Sequence, residues 1–300
     1  MNDSPKAPLI VDIKRNSLDD GPGIRSVVFF KGCTLRCVWC QNPETLSPLP
    51  EIQRDETRCI ACGTCTAVCR QGVARNAMEK EDASRCILCG ECVEACPSNA
   101  RRIAGTEYSV DEVVELLLKD EPFYRHSGGG VTLSGGEPAM YPAFVGEVAA
   151  RLREKGVHVL METGGQFDFE QVEKHLLPHI STIYFDVKLA DPEQHKQYVG
   201  PDNRRIQENL KRLVSFQDLL PRVPLIPGIT DTDENLKSIA KLLADLGLTR
   251  VMLLPYNPLW LSKRRALGMD MPYSHDSFMS PEEIERCRGV FEKAGLTLVG

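Results

Sequence analysis

The spacing C-x2-C-x2-C-x3-C occurs twice in this chain, at Cys59, Cys62, Cys65 and Cys69 and again at Cys86, Cys89, Cys92 and Cys96. A third group, Cys33, Cys37 and Cys40, lies just ahead in C-x3-C-x2-C spacing, and only Cys287 stands apart. Thiols this dense have few ways to be satisfied. Disulfides between neighbours three residues apart would close small, strained loops. The sequence shows no basic-plus-apolar leader near Met1 that would carry it to an oxidising compartment. Clustered thiols in a chain without export signals read as metal ligands, and the expected location is cytoplasmic.

The two longer runs match the bacterial ferredoxin spacing, in which three cysteines hold one [4Fe–4S] cluster and the fourth reaches to the other. The crossed assignment is Cys59, Cys62, Cys65 and Cys96 for one cluster, and Cys86, Cys89, Cys92 and Cys69 for the other. Pro97 closes the second run, while Arg70 stands where the first would carry proline. Zinc fits eight thiols in this 3+1 spacing badly. The Cys33, Cys37, Cys40 group differs in kind, because three ligands leave one iron of a cubane open, and an open metal site is where chemistry happens.

Organisation follows from the apolar runs. Ile24–Phe30, after the turn Asp20-Gly21-Pro22-Gly23, reads as a strand that feeds the three-cysteine loop. Residues 51–104 have weak periodicity and an internal repeat, Arg58-Cys59-Ile60-Ala61-Cys62-Gly63 against Arg85-Cys86-Ile87-Leu88-Cys89-Gly90. They are expected to form an inserted module held by its clusters. From Ser109, whose pairing with Glu112 marks a capping box, strands at Gly130–Leu133, Val157–Met161, Ile180–Val187, Arg222–Ile226 and Arg250–Leu254 alternate with helices. The predicted helices are Ala143–Lys155, Phe169–Leu177, Glu208–Phe216, Asn235–Leu246 and Pro281–Ala294. Six strands in this rhythm predict a parallel α/β sheet, as a partial (β/α) barrel or an open doubly wound sheet, with its site at the C-terminal strand ends. The net charge of −6 gives no footprint for nucleic acid, and no run of eighteen apolar residues suggests a membrane span.

Unusual residues gather at those strand ends. Ser134-Gly135-Gly136-Glu137-Pro138 follows one strand, and its paired glycines let backbone approach a ligand. Glu162 ends the next strand. Asp186 and Lys188 share one face of the strand after it, because side chains alternate with period two. Arg222 is expected to open its strand, and Asn257 follows the last. Each residue has a plain structural reading taken singly; their convergence near one open cluster raises all of them. The six histidines offer no ligand spacing, His126 reads as a loop residue, and Cys287 reads as a buried apolar side chain.

Gly21-Pro22-Gly23-Ile24-Arg25, Phe29, Gly32-Cys33, Cys37, Cys40 and Asn42 together resemble the signature of glycyl-radical-enzyme activating enzymes of the radical S-adenosylmethionine (SAM) superfamily. Phe123-Tyr124, Ser127–Gly130 and Ser134–Pro138 extend the resemblance over essentially the whole chain. It implies a partial (β/α)6 TIM-like radical SAM barrel in residues 1–50 and 105–300, with a ferredoxin-like insertion at 51–104 carrying two auxiliary clusters. It further implies that SAM chelates the open iron of the Cys33/Cys37/Cys40 cluster, with Trp39 and Gln41 flanking adenosine. Gly135, Gly136 and Glu137 would meet the methionyl part, and Asp186, Val187 and Lys188 would form a second contact segment. Glu162 and Asp186 match acidic positions that can hold a monovalent cation, and Arg222 matches an arginine near the substrate glycine. Asn257 departs from the histidine of pyruvate formate-lyase activase. The implied reaction is reductive cleavage of SAM and removal of a hydrogen from a glycine of a glycyl radical enzyme, with electrons from a flavodoxin- or ferredoxin-type donor relayed by the insertion. The competing readings are a radical SAM enzyme for another substrate, such as anaerobic ribonucleotide reductase, and a multi-cluster electron carrier that neither binds nor cleaves SAM.

Overall fold

The structure, a computed structural model, describes residues 7–300 apart from Met78, Lys80 and Gln217. The first six residues, part of the stretch on which the leader expectation rests, lie outside the described residues. The strands in chain order are β1 (Leu9–Ser17), β2 (Arg25–Phe30), β3 (Glu51–Arg54), β4 (Arg101–Ala104), β5 (Thr106–Glu107), β6 (Gly130–Gly135), β7 (His158–Thr163), β8 (Thr182–Asp186), β9 (Leu219–Leu225), β10 (Arg250–Pro255) and β11 (Thr297–Leu298). Nine of them form one sheet in the order β11-β10-β9-β8-β7-β6-β2-β1-β5. From β2 through β6, β7, β8, β9 and β10 every neighbour pair is parallel, as the six apolar runs predicted. β1, which was not predicted, adds antiparallel to β2, with Ile10 opposite Phe30 and Lys14 opposite Val27. Among the described residues no helix is long and apolar enough to cross a membrane.

Alternation along the strands builds two apolar layers. Val131, Val159, Ile183, Val223 and Val251 face outward and pack under helices such as Pro142–Glu154, Asp233–Asp245 and Pro281–Lys293, in the main core. On the concave face Leu160, Tyr184 and Leu220 form a separate patch with Met252 and Val299. Burial on both faces is why these strands read as near-continuous apolar runs. Two residues further along, on the same concave face, come Glu162, Asp186 and Arg222. The polar residues therefore form the next layer toward the C-terminal strand ends. Cys287 is fully buried in the main core, and Ser109 with Glu112 forms the capping box. His126 lies in the helix Glu121–Ser127 and not in a loop.

Between β2 and β6 the chain leaves the sheet through β3 and returns through β4, which pair antiparallel with Glu51 opposite Ala104. The segment between them has its own small apolar cluster of Cys65, Ala74 and Cys92. Its two repeats share a backbone path. Ala61 and Leu88, at equivalent places, have φ of 53° and 56°, and both are followed two residues later by a left-handed glycine, Gly63 and Gly90. A non-glycine residue held there costs about 1–2 kcal/mol, so the doubled strain marks a required winding. Each repeat then enters a short helix, Thr64–Val68 or Glu91–Glu94, that buries its third cysteine.

Candidate active site

β2 delivers the chain into the loop that holds Cys33, Cys37 and Cys40. Three sources of hydrogen bonds shape this loop. The Gly32 and Cys33 amides donate to Thr45 O and Leu46 O at 2.7 and 3.2 Å. The Arg36 and Val38 amides donate to Val199 O and Tyr198 O, at 2.8 and 3.0 Å, at the C-terminal end of the helix Pro192–Val199. Thr34 Oγ1 donates to Gln166 O at 3.0 Å. The three thiols are partly or wholly buried, and burial pushes the Cys37 thiol up and the Cys40 thiol up to about 12. Such thiols need a neighbouring positive centre to become thiolates.

They open onto a cavity of about 420 Å³ whose walls come from the C-terminal ends of β6 to β10. It is lined by Trp39, Gln41, Gly135, Gly136, Glu137, Glu162, Asp186, Lys188, Arg222 and Asn257, so the structure brings these predicted residues together. Val187 is the exception. Its amide donates to Arg222 O at 2.8 Å, and its buried side chain does not line the cavity. Arg222 sits in the middle of β9, which starts at Leu219, so it does not open its strand as predicted. Mid-strand placement aims it inward, over the Tyr184 ring at 5.1 Å.

The polar layer is a single ionic chain. Ser134 Oγ donates to Glu162 Oε2 at 2.6 Å, and Arg222 donates to the other oxygen of Glu162. Arg222 also donates through Nε to Asp186 Oδ1 at 2.9 Å, and Lys188 Nζ reaches Asp186 Oδ2 at 3.0 Å. Burial pushes the Asp186 carboxyl up, but the charges of Arg222 and Lys188 outweigh it and hold the group below its ordinary range. Two carboxylates already face two cations here, and each of their four oxygens is engaged.

The glycine pair has a packing reason that its motif does not reveal. A Cβ on Gly136 would lie 2.0 Å from Gly32 O, and one on Gly135 would lie 2.4 Å from Phe30 N. Both residues press β6 against the root of the cysteine loop, with Gly136 N donating to Phe30 O at 2.8 Å and Glu137 N to Gly32 O at 2.8 Å. The Glu137 side chain is fully buried and turned to β7, accepting from Thr163 Oγ1 and Gly164 N at 2.9 Å and from Ala139 N at 3.2 Å. Burial pushes its carboxyl up to about 7 despite those bonds. Ser134 is read in the sequence only as part of the glycine motif, and Thr163 is given no role there. Only their partners, Glu162 and Glu137, give them a role.

The thiols of the insertion stand around two further cavities. One is lined by Cys59, Cys62, Cys65 and Cys96, the other by Cys69, Cys86, Cys89 and Cys92. These are the crossed sets. Among the described residues no three Cys, His, Asp or Glu side chains close on the spacing of a single metal ion. Zinc at about 2.3 Å from each sulfur would draw four thiols to about 3.8 Å apart.

Comparison with known proteins decides the family. The radical SAM superfamily model matches residues 27–243. The trans-4-hydroxy-L-proline dehydratase activating enzyme of Clostridioides difficile is 40% identical over 293 residues, covering 95% of this chain and 96% of the relative. The isethionate sulfite-lyase activating enzyme of Oleidesulfovibrio alaskensis is 38% identical over 271 residues, covering 87% of each. The chain belongs to the glycyl-radical-enzyme activating enzymes of the radical SAM superfamily. The crystal structure of a radical SAM methyltransferase from Sphaerobacter thermophilus matches 99% of this activase and 78% of its own chain, with a TM-score of 0.55 and 16% identity, a likeness of fold. As a member, the activase uses a [4Fe–4S] cluster to cleave SAM reductively and takes a hydrogen atom from a glycine of a partner glycyl radical enzyme. A pure electron carrier is thereby set aside. The cavity presents backbone at the β6 end, cations and carboxylates on one wall, and thiols on the other.

Proposed function

We propose that Cys33, Cys37 and Cys40 hold the SAM-cleaving cluster of this activase and that the cavity beside them is the SAM site. The observation that carries this is the meeting, in one cavity, of three thiols without a fourth cysteine and the chain Ser134–Glu162–Arg222–Asp186–Lys188. Lys188 is positioned to meet the methionyl carboxylate, and the backbone of Gly135 and Gly136 to meet the methionyl amine. Trp39 and Gln41 flank the adenosine, and Gln41 Nε2 is steadied by donating to Asn257 O at 3.3 Å. Arg222 fixes both acids of the floor, and it orients the glycine-bearing segment of the partner through the cavity mouth. Their shared work is to hold the reacting groups in line and exclude water.

We read residues 51–104 as a ferredoxin-like domain between the two parts of the barrel, 1–50 and 105–300. Its crossed quartets would hold two auxiliary clusters that pass electrons inward from a flavodoxin- or ferredoxin-type donor. The support is the pair of four-cysteine cavities on a repeated backbone. The two relatives named above serve different enzymes, so the partner's own substrate is not carried over.

The test is an iron count with electron paramagnetic resonance of the anaerobically reconstituted, reduced protein. Three cubanes require about 12 iron atoms. The reading expects a signal that changes on adding SAM and is lost in Cys37→Ala, with about 8 iron atoms retained. A SAM-dependent signal that survives in Cys37→Ala would remove the three-cysteine assignment. A wild-type count near 4 would remove the auxiliary clusters.

A further inference from the structure

The two repeats of the insertion are alike in backbone and unlike in charge. Each exposes a large apolar residue beside its cysteines, Ile60 at 65% and Ile87 at 64%, and each leaves its second cysteine exposed. From Arg58 to Cys69 the only charged residue is Arg58, whereas from Arg85 to Cys96 Arg85 is joined by Glu91 and Glu94. The first edge also borders a cleft of about 490 Å³ between the insertion and the helix Trp260–Ala266. Ala100 forms a wall common to this cleft and to the cavity of the Cys59 set.

Five cationic side chains line the cleft against two carboxylates. Arg54 and Lys263 are partly offset from behind by Glu81 at 3.8 Å and Glu44 at 3.0 Å, and Arg58 by Asp55 at 3.4 Å. Arg102 and Arg265, both exposed, make no ion pair among the described residues. A locally positive cleft in a chain of net charge −6 selects negatively charged partners and speeds their encounter. The reaction requires one electron at a time from outside the chain.

We propose that this cleft, together with the exposed Ile60 of the adjoining Cys59 cavity, docks an acidic one-electron carrier protein that feeds the Cys59 set. The inference rests on the reading of the insertion as a cluster-bearing relay. In the step, the carrier is oxidised by one electron and the iron–sulfur cluster of the Cys59 set is reduced by one. No bond or proton need move. Arg102 and Arg265 orient the carrier by charge, whereas at the Ile87 edge Arg70 pairs with Glu91 at 3.1 Å and Arg85 is part of no such cationic excess, Glu94 being nearby in the chain.

The test uses the cluster-loaded protein and a reduced bacterial flavodoxin as the acidic probe, followed by stopped-flow bleaching. Photoreduced deazaflavin serves as a small reductant without net charge. The double variant Arg102→Glu/Arg265→Glu is expected to slow reduction by flavodoxin about tenfold at low salt and flatten its ionic-strength dependence. Affinity for the oxidised flavodoxin, measured by calorimetry, should weaken to match. Arg85→Glu, at the equivalent edge, should stay within about twofold of wild type, and deazaflavin should reduce all three proteins alike. Equal flavodoxin rates in wild type and the double variant would overturn the proposal, as would a larger loss in Arg85→Glu. Lost activation of the glycyl radical enzyme with an unchanged flavodoxin rate would assign the cleft to that enzyme and overturn it too. A wild-type iron count near 4 rather than 12 would instead remove the relay reading on which it stands.

Discussion

Replacing Arg222 by methionine keeps the length of the side chain and removes its charge. Arg222 is 10% exposed, and it faces Glu162 at 15% and Asp186 at 21%. Its loss leaves Glu162 with only the Ser134 hydroxyl and Asp186 with only Lys188. Removing one partner of a buried ion pair costs about 3–5 kcal/mol, because the remaining charge stays desolvated. Unfolding entropy of about 2.1 cal/mol/K per residue gives about 0.6 kcal/mol/K for 300 residues. The expected fall in melting temperature is therefore about 5–8 °C. Arg222→Lys keeps the charge but has one ammonium where the guanidinium spans two acids, so about half that loss is expected. The assay is anaerobic thermal unfolding followed by circular dichroism, on preparations matched for iron. A fall below about 2 °C in Arg222→Met would refute the claim that the ionic chain is held by this residue.

Gly136→Ala should prevent β6 from seating against the cysteine loop, since its Cβ would meet Gly32 O at 2.0 Å; iron incorporation at the Cys33 set is expected to fall severalfold. Gly228→Ala, a left-handed glycine with nothing within 4 Å, should cost only about 1–2 kcal/mol and leave iron content unchanged. Glu137→Gln would set an amide donor against the donors of Gly164 or Ala139, and about 1–3 kcal/mol of stability should be lost in denaturant titration. His158 lies 3.3 Å from Arg25 Nη2, and burial, with Arg25 next, holds its pKa below the ordinary 6.5. The folded state then binds fewer protons than the unfolded one as pH falls through 6.5, so stability present above that pH is lost below it. Melting curves between pH 7.5 and 5.5 should show a smaller decline in His158→Gln than in wild type; equal declines would remove His158 from the account.

What could be read from the sequence tracks how local each signal is. The six parallel strands announced themselves because both their faces are buried, as in Val131-Thr132-Leu133 and Ile183-Tyr184-Phe185. β1 escaped notice because it carries Asp12, Lys14 and Arg15 on a half-exposed strand that pairs only in the folded sheet. The cysteine spacing reached all three sets of thiols, since spacing is a property of the chain itself. The glycine pair was found for one reason and has a second, the contact with Gly32, that depends on β2 lying alongside. Arg222 was found but misplaced in its strand, because only the register of β9 against β8 aims it at Asp186. Ser134 and Thr163 are ordinary residues until β6 and β7 are neighbours.

The latch between the cysteine loop and the end of the helix Pro192–Val199 has a consequence for biosynthesis. Cys33, Cys37 and Cys40 leave the ribosome early, yet Arg36 and Val38 find their acceptors only once Tyr198 and Val199 have emerged. The two quartets of the insertion, by contrast, are drawn entirely from residues 59–96. These three thiols are therefore made early and latched only after residue 199, open to oxidation or to a wrong metal until then. Thiol labelling of stalled nascent chains would check this: chains ending before Pro192 should leave Cys37 reactive, and chains extended past Val199 should protect it.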